Sequence, residues 1–342
     1  MVVLALVGAS CGGGGPSTSS SPSASTASSS STASPKTPTP GLADPVGIAF
    51  DRAGNMWVAS YEGSSVLGYR AGDVRRVVGA SGGKTLTLHA DVVISGLGPN
   101  ELAIGPDGKL WVAGYDQNEL AAYSPSQLKT SGSPSPAVLI RSHGSSLRNP
   151  SGLAFDGNGN LWVTNEGTGA VVGYAPAKLG SSGAPAPLAR LRIPGAPLNS
   201  QNLAIGPDGR LWVARYGDDR ILEFEPSYGS PVPTFTRAPH TILNTGTFTG
   251  PIGLAFDGRG RLWTSLANDQ SVAAFVPPPP SEKNASPQPV ASLSGSAFDQ
   301  PHSVTFDAEG NLWVTSHNDT ILEFDRATLS KRSVTRPDAV IR

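Results

Sequence analysis

From residue 45 onward, short apolar runs alternate with polar turns, and the alternation repeats on a long period. One copy reads Gly152-Leu153-Ala154-Phe155, then a turn from Asp156 to Gly159, then Leu161-Trp162-Val163-Thr164-Asn165. A third run, Val171-Val172-Gly173-Tyr174, follows a few polar residues later. A weaker fourth run ends each copy, as in Ala137–Ile140 and Ala339–Ile341. Six copies place all six tryptophans (Trp57, Trp111, Trp162, Trp212, Trp263 and Trp313) at one equivalent position, 50 to 54 residues apart. Apolar runs of this length between Gly, Asp and Asn predict β-strands. Both alternating faces of the runs are apolar, so each small sheet is expected to be covered on both sides.

Four short antiparallel strands per copy, repeated six times, predict an all-β chain folded as a six-bladed β-propeller. The blades fall at about 45–95, 99–141, 150–193, 200–244, 251–295 and 301–342, within a domain spanning 42–342. The last run supplies blade six with its own fourth strand, so the ring is expected to close mainly by side-chain packing. A small residue recurs on the first strand (Ala49, Ala103, Ala154, Ala204, Ala255, Thr305), which suits strands crowded near an axis. Copies two and four turn through Gly-Pro-Asp-Gly. The other four place an aspartate ahead of the turn (Asp51, Asp156, Asp257, Asp307) and keep the closing glycine. An aspartate repeated in this way is expected to cap its own turn rather than to bind calcium. The likeness of copies two and four suggests duplication of a two-blade unit.

The first 41 residues change the picture at one end. Residues 1–10 are apolar and small, and the only cysteine, Cys11, follows Gly8-Ala9-Ser10. This resembles a bacterial lipoprotein signal peptide ending at a lipidated Cys11. Residues 12–41 are Gly, Ser, Thr, Ala and Pro with one charge, Lys36. Such a segment has little to bury and reads as a disordered tether. The implied location is export, with membrane attachment through the lipid alone. With 25 basic and 26 acidic residues, the chain has a net charge of -1 and no basic run, which argues against nucleic-acid partners. One cysteine excludes an intrachain disulfide. The GxSxG spacing occurs at Gly8–Gly12 and Gly79–Gly83 but not as a strand-to-helix nucleophile elbow, and no phosphate-loop or HExxH motif is present.

Candidate chemistry lies where the six copies disagree. The residues entering the first strand and the loop joining strands two and three emerge on one face of a propeller. At the entries, amide, carboxylate and imidazole groups come only from even-numbered blades: Asn100, Glu101, Gln201, Asn202 and His302. The loops add Asn165, Glu166, Asn268 and His317, among other polar residues. Carboxylate and amide oxygens suit a hard cation such as Ca2+. Asn100, Glu101, Gln201, Asn202, His302, Asn165 and Glu166 are the candidate ligand-binding residues. His302 and His317, both from the sixth copy, are the candidate catalytic residues of a histidine-based site for metal binding or proton transfer.

The pattern PxGLAFDxxGNLWVTN followed by VxxY resembles the NHL-repeat and SMP-30/gluconolactonase-like group of six-bladed propellers, over essentially all of 45–342. The resemblance implies a metal at the channel mouth, held by Glu, Asn and Asp and serving lactone hydrolysis. By position Glu101, Asn100 and Asn202 match best, with Asn268 or Asn165 behind them. The group's usual Asn-Gly at strand entry is absent, since this chain has Asn100-Glu101 and Asn202-Leu203. Propeller lyases that use several channel histidines are a further comparison. Here the equivalents of His302 are Val46, Asn100, Ser151, Gln201 and Ile252, which do not build that zinc set. The expectation is an exported, lipid-anchored, monomeric propeller that binds a protein or a small, saccharide-like ligand through its polar loop face and central channel. The alternative is a Ca2+-type lactonase, hydrolase or lyase at the same mouth.

Overall fold

The computed structural model describes residues 41–342 except 81, 193–198, 225–233, 236–240, 245–248, 280–281 and 283–284. Cys11 and the tether up to residue 40 lie outside the described residues. The rest is a six-bladed β-propeller, each blade an antiparallel sheet whose first four strands run in chain order. The innermost strands are Pro45–Phe50, Pro99–Ile104, Pro150–Phe155, Ser200–Ile205, Pro251–Phe256 and Pro301–Phe306. They pack against one another around the axis, and apolar side chains fill the space between neighbouring blades.

The tryptophan repeat has a packing reason that the register reveals. Trp57 lies opposite Ala49 on one side and Gly68 on the other, and Trp162 opposite Ala154 and Gly173. Residues directly opposite share a face, so the indole lies between small partners in blades one, two, three and five, whereas Trp212 and Trp313 face Glu223 and Glu323 on the third strand. A Cβ on Gly68 would sit 2.5 Å from the Trp57 ring. The recurring small residue therefore accommodates the indole as well as the crowded axis. In four of the junctions the indole meets a first-strand phenylalanine of the next blade: Trp111–Phe155, Trp212–Phe256, Trp263–Phe306 and, across the ring closure, Trp313–Phe50.

The four turn aspartates behave as the sequence predicts. Asp156 Oδ1 accepts the N–H of Asn158 and Asn160, each at 2.9 Å. Its Oδ2 accepts from Asn160 Nδ2 and from the buried Trp162 Nε1, again at 2.9 Å. Asp51, Asp257 and Asp307 repeat the arrangement, so each carboxylate caps a turn and anchors an indole.

Ring closure differs from the expectation. Ala339–Ile341 is the fourth strand of blade six, as expected, and Pro45–Phe50 stays in blade one. Closure is not by packing alone, however. Lys84–Leu86, from the strand three–four connection of blade one, pairs in parallel with Ala339–Ile341 as a fifth strand. The same device recurs around the ring. Thr234–Phe235 adds to blade three and Ser333–Val334 to blade five, and Gly132 and Gly183 bridge to Ile94 and Ile140. Each of these five connections reaches back to the outer edge of the preceding blade, hydrogen-bonding an edge that would otherwise be free.

Candidate functional site

Where each first strand enters the sheet its register shifts, as between Pro99 and Leu102 or Pro301 and Val304. Such bulges turn side chains out of the regular alternation. Glu101, Asn202 and Ser303 occupy equivalent positions in blades two, four and six, and they meet. Glu101 Oε2 accepts from Asn202 Nδ2 and, at 3.2 Å, from Ser303 Oγ. Its Oε1 accepts the Leu102 N–H at 3.0 Å, and the Ile48 N–H also bonds the carboxylate. Asn202 Oδ1 accepts the Leu203 N–H at 2.7 Å, which fixes the direction of the amide.

The odd blades hold Gly47, Gly152 and Gly253 at this level, for a steric reason. A Cβ on Gly47 would lie 2.8 Å from Glu101 Cα, one on Gly152 2.8 Å from Asn202 Cα, and one on Gly253 2.5 Å from the His302 carbonyl oxygen. Three glycines and three polar residues thus interlock around the axis and give the channel a floor. Glu101 is 3% exposed. Burial pushes its carboxyl up to about 8, outweighing the donors that favour the anion. At neutral pH the floor is mostly uncharged.

The rim is set by the residue that follows each second strand. These six positions hold Tyr61, Tyr115, Glu166, Tyr216, Ala267 and His317. Tyr61 and Tyr115 meet edge to face with ring centres 6.3 Å apart, and the Tyr61 hydroxyl is 3.4 Å from Asp116. Burial first, and then the Glu166 carboxylate to which it hydrogen-bonds, pushes the Tyr115 phenol well above its ordinary value. The Tyr216 hydroxyl donates to Asn268 Oδ1 at 2.9 Å.

Blade six contributes the imidazoles. His302 is buried, and its Nδ1 donates to the Val46 carbonyl at 3.0 Å. Burial, helped by the neighbouring His317, lowers the His302 pKa to about 4, so the ring is neutral at pH 7. The two ring centres are 5.9 Å apart. His317 Nδ1 lies 3.0 Å from Asp44 Oδ1.

The candidate residues therefore divide. Glu101 and Asn202 converge, joined by Ser303. Asn100 Oδ1 is buried without a hydrogen-bond partner, and Gln201 offers its carbonyl to Ser151 and Thr164. Asn165 directs its amide into its own blade, toward Arg148 and Ala170. Asn268 sits with Tyr216 on the rim, apart from Glu101. Among the described residues no three His, Cys, Asp or Glu side chains are grouped to hold a metal ion. Several loop oxygens instead join blades: Asn118, Asp219 and Asp319 accept the N–H of Asn149, Gly250 and Asp44. The tyrosines were missed by a reading that sought carboxylates and amides. Their signal is plain in the chain, four residues after Trp57, Trp111 and Trp212. The opposite face of the ring is also indented. Clefts of about 290, 410 and 420 Å3 open there between blades five and six, two and three, and six and one. Their walls include the turn aspartates, whose oxygens are already bonded.

No family model matches the chain, and no curated protein sequence matches it. Solved structures match its fold. A streptogramin B lyase aligns with a TM-score of 0.55 at 13% identity, over 86% of this chain and 82% of the lyase. A catalytically inactive histidine-to-alanine variant of virginiamycin B lyase from Staphylococcus aureus, solved with quinupristin, gives 0.51 at 14%, over 84% and 83%. Hydrazine synthase from Kuenenia stuttgartiensis gives 0.52 at 13%, over 85% and 97%. At such identities the likeness defines the fold, a β-propeller module, and leaves function to the residues at the mouth.

Proposed function

We propose that this protein is an exported propeller that binds a small, ring-shaped, hydroxyl-rich ligand, of the saccharide type, in the cup formed by the tyrosine rim and the closed floor. The carrying observation is the rim itself. Three of six equivalent positions are tyrosine, a fourth is histidine, and carboxylate or amide groups flank the phenols. Aromatic faces beside fixed hydrogen-bonding groups suit a ligand with an apolar ring face and polar edges. The floor favours binding over passage through the channel, because Glu101, Asn202 and Ser303 bond to one another across the axis. Cys11 is the proposed site of lipid attachment, with residues 12–41 as the spacer. Among the described residues no helix is long and apolar enough to cross a membrane.

The metal-dependent hydrolase or lyase reading remains the second. The observation favouring it is the neutral, buried His302 at the mouth, a group suited to accept a proton or a metal. Saturation-transfer NMR with the full chain against 4-nitrophenyl glycosides and common disaccharides tests the first reading. Binding of at least one of these is expected, with a loss of tenfold or more in Tyr115→Ala. If none binds, or if Tyr115→Ala leaves binding intact, the cup is not a saccharide site. For the anchor, incorporation of a fatty-acid analogue should vanish in Cys11→Ser, and labelling that persists would exclude lipidation at Cys11.

A further inference from the structure

We propose that His302 and His317 form a mononuclear site for a borderline divalent transition ion, with Zn2+ as the reference case. Both Nε2 atoms would bind the ion, and its remaining positions would stay open to the mouth. The two histidines come from one blade. His302 stands in the bulge of its first strand, and His317 follows its second strand, whose last residue Ser316 pairs with Pro301. Each Nδ1 faces an oxygen, and that of His302 makes a hydrogen bond. His302 Nδ1 donates to the Val46 carbonyl, and His317 Nδ1 faces the Asp44 carboxylate at 3.0 Å. Backbone carbonyls and carboxylates are the usual outer partners of metal-bound histidines, because they fix the tautomer that frees Nε2. Among the described residues neither Nε2 has a hydrogen-bond partner.

The spacing agrees. A zinc–nitrogen bond of about 2.0–2.1 Å puts an imidazole centre about 3.2 Å from the ion, so two rings on one ion have centres about 5–6 Å apart. The observed separation is 5.9 Å. The local field also favours a cation. Asp44 feels the charges of Glu62 and Asp319 as well as His317. Imidazole nitrogen selects zinc-like ions over Ca2+ or Mg2+. Two protein ligands leave positions for water or a ligand oxygen, more than the single open position of a catalytic zinc held by three protein ligands. Asn100 or Gln201 could not replace either imidazole without changing this preference. The site is independent of the saccharide reading, since it needs only the His302–His317–Asp44 group.

The test is calorimetric titration of tag-free full-length protein with Zn2+, together with the visible spectrum of the Co2+ form. One equivalent of ion is expected, with a Co2+ spectrum showing nitrogen ligation. His302→Ala and His317→Asn should each weaken binding at least tenfold, and Asp44→Asn about tenfold. His89→Ala and His143→Ala should leave it unchanged. His317 is exposed, so His317→Asn should fold as the parent does, and metal-free thermal unfolding checks this. Zn2+ binding that survives His317→Asn in a folded protein overturns the site. So does an absence of Zn2+, Co2+ and Ni2+ binding to the parent protein at millimolar ion.

Discussion

Glu101 shows how burial changes what a residue can do. From the sequence it reads as an anionic metal ligand. In the ring its oxygens take bonds from Leu102, Asn202 and Ser303, and its carboxyl titrates near 8. A carboxyl raised in the folded state holds its proton where the unfolded chain has lost it. Its contribution is complete below the unfolded value of 4.5 and is lost as pH rises through about 8. Stability should therefore fall between those limits. The cap on the effect is about 5 kcal/mol, since each unit is worth about 1.4 kcal/mol. Glu101→Gln tests this. Glutamine has one acceptor where both carboxyl oxygens accept, so at pH 6 the variant should be less stable by about 1–3 kcal/mol. That deficit should shrink by pH 9, because only the parent loses stability on the way. Glu323, raised to about 9 by burial, titrates in both proteins and cancels in the difference. Urea unfolding at both pH values measures it, and a deficit that stays constant would mean that Glu101 is ionised throughout.

At the scale of the strand and turn, much was legible in the chain. The tryptophan period, the blade limits and the capping role of Asp156 all rest on local chemistry, which a sequence carries directly. The parallel fifth strands were not legible. Lys84–Leu86 and Ser333–Val334 are two- or three-residue pieces with no alternation to read, and their partners lie one blade away. The rim tyrosines stand in register with the tryptophans and open the loops that the sequence already places at the mouth, but a search for oxygen ligands passes over aromatic rings. The turn aspartates allow a direct comparison. Asp156→Ala removes the acceptor for two main-chain N–H groups, Asn160 Nδ2 and the buried Trp162 Nε1. The expected cost is about 2–4 kcal/mol, given the penalty for stranding buried donors. Asp107→Ala in blade two removes a half-exposed carboxylate paired with Lys109 and should cost less than about 1 kcal/mol. Urea midpoints compare the two. Equal losses, or a loss at Asp156 that Ca2+ titration of the parent protein traces to a bound ion, would remove the capping account.

For the molecule as a whole, the ring works as three two-blade units. Glu101, Asn202 and Ser303 are 101 residues apart, and so are the donors and acceptors they supply at the axis. The three equivalent positions hold one acceptor and two donors, which lets a pseudo-threefold centre satisfy itself with unlike side chains. The same asymmetry appears at the rim, where only blade six supplies imidazoles. Such a ring depends on its seam. Blade six meets blade one through Asp319 and Asp44, Thr315 and Val46, Phe50 and Trp313, and the strand pair 339–341 with 84–86. Truncation after Asp338 removes the last pairing and the buried Val340 and Ile341. Their burial alone is worth about 3–6 kcal/mol. The loss also frees the edge at Ile321–Glu323 and leaves Lys84–Leu86 without a partner. Because closure couples every blade to its neighbours, the expected result is a lower midpoint for the entire domain, with early proteolysis in the connection at residues 71–91. A truncated chain that unfolds at the parent midpoint would show that packing alone closes the ring. One that loses only blade six, leaving a separate transition at the original temperature, would show that the blades unfold independently.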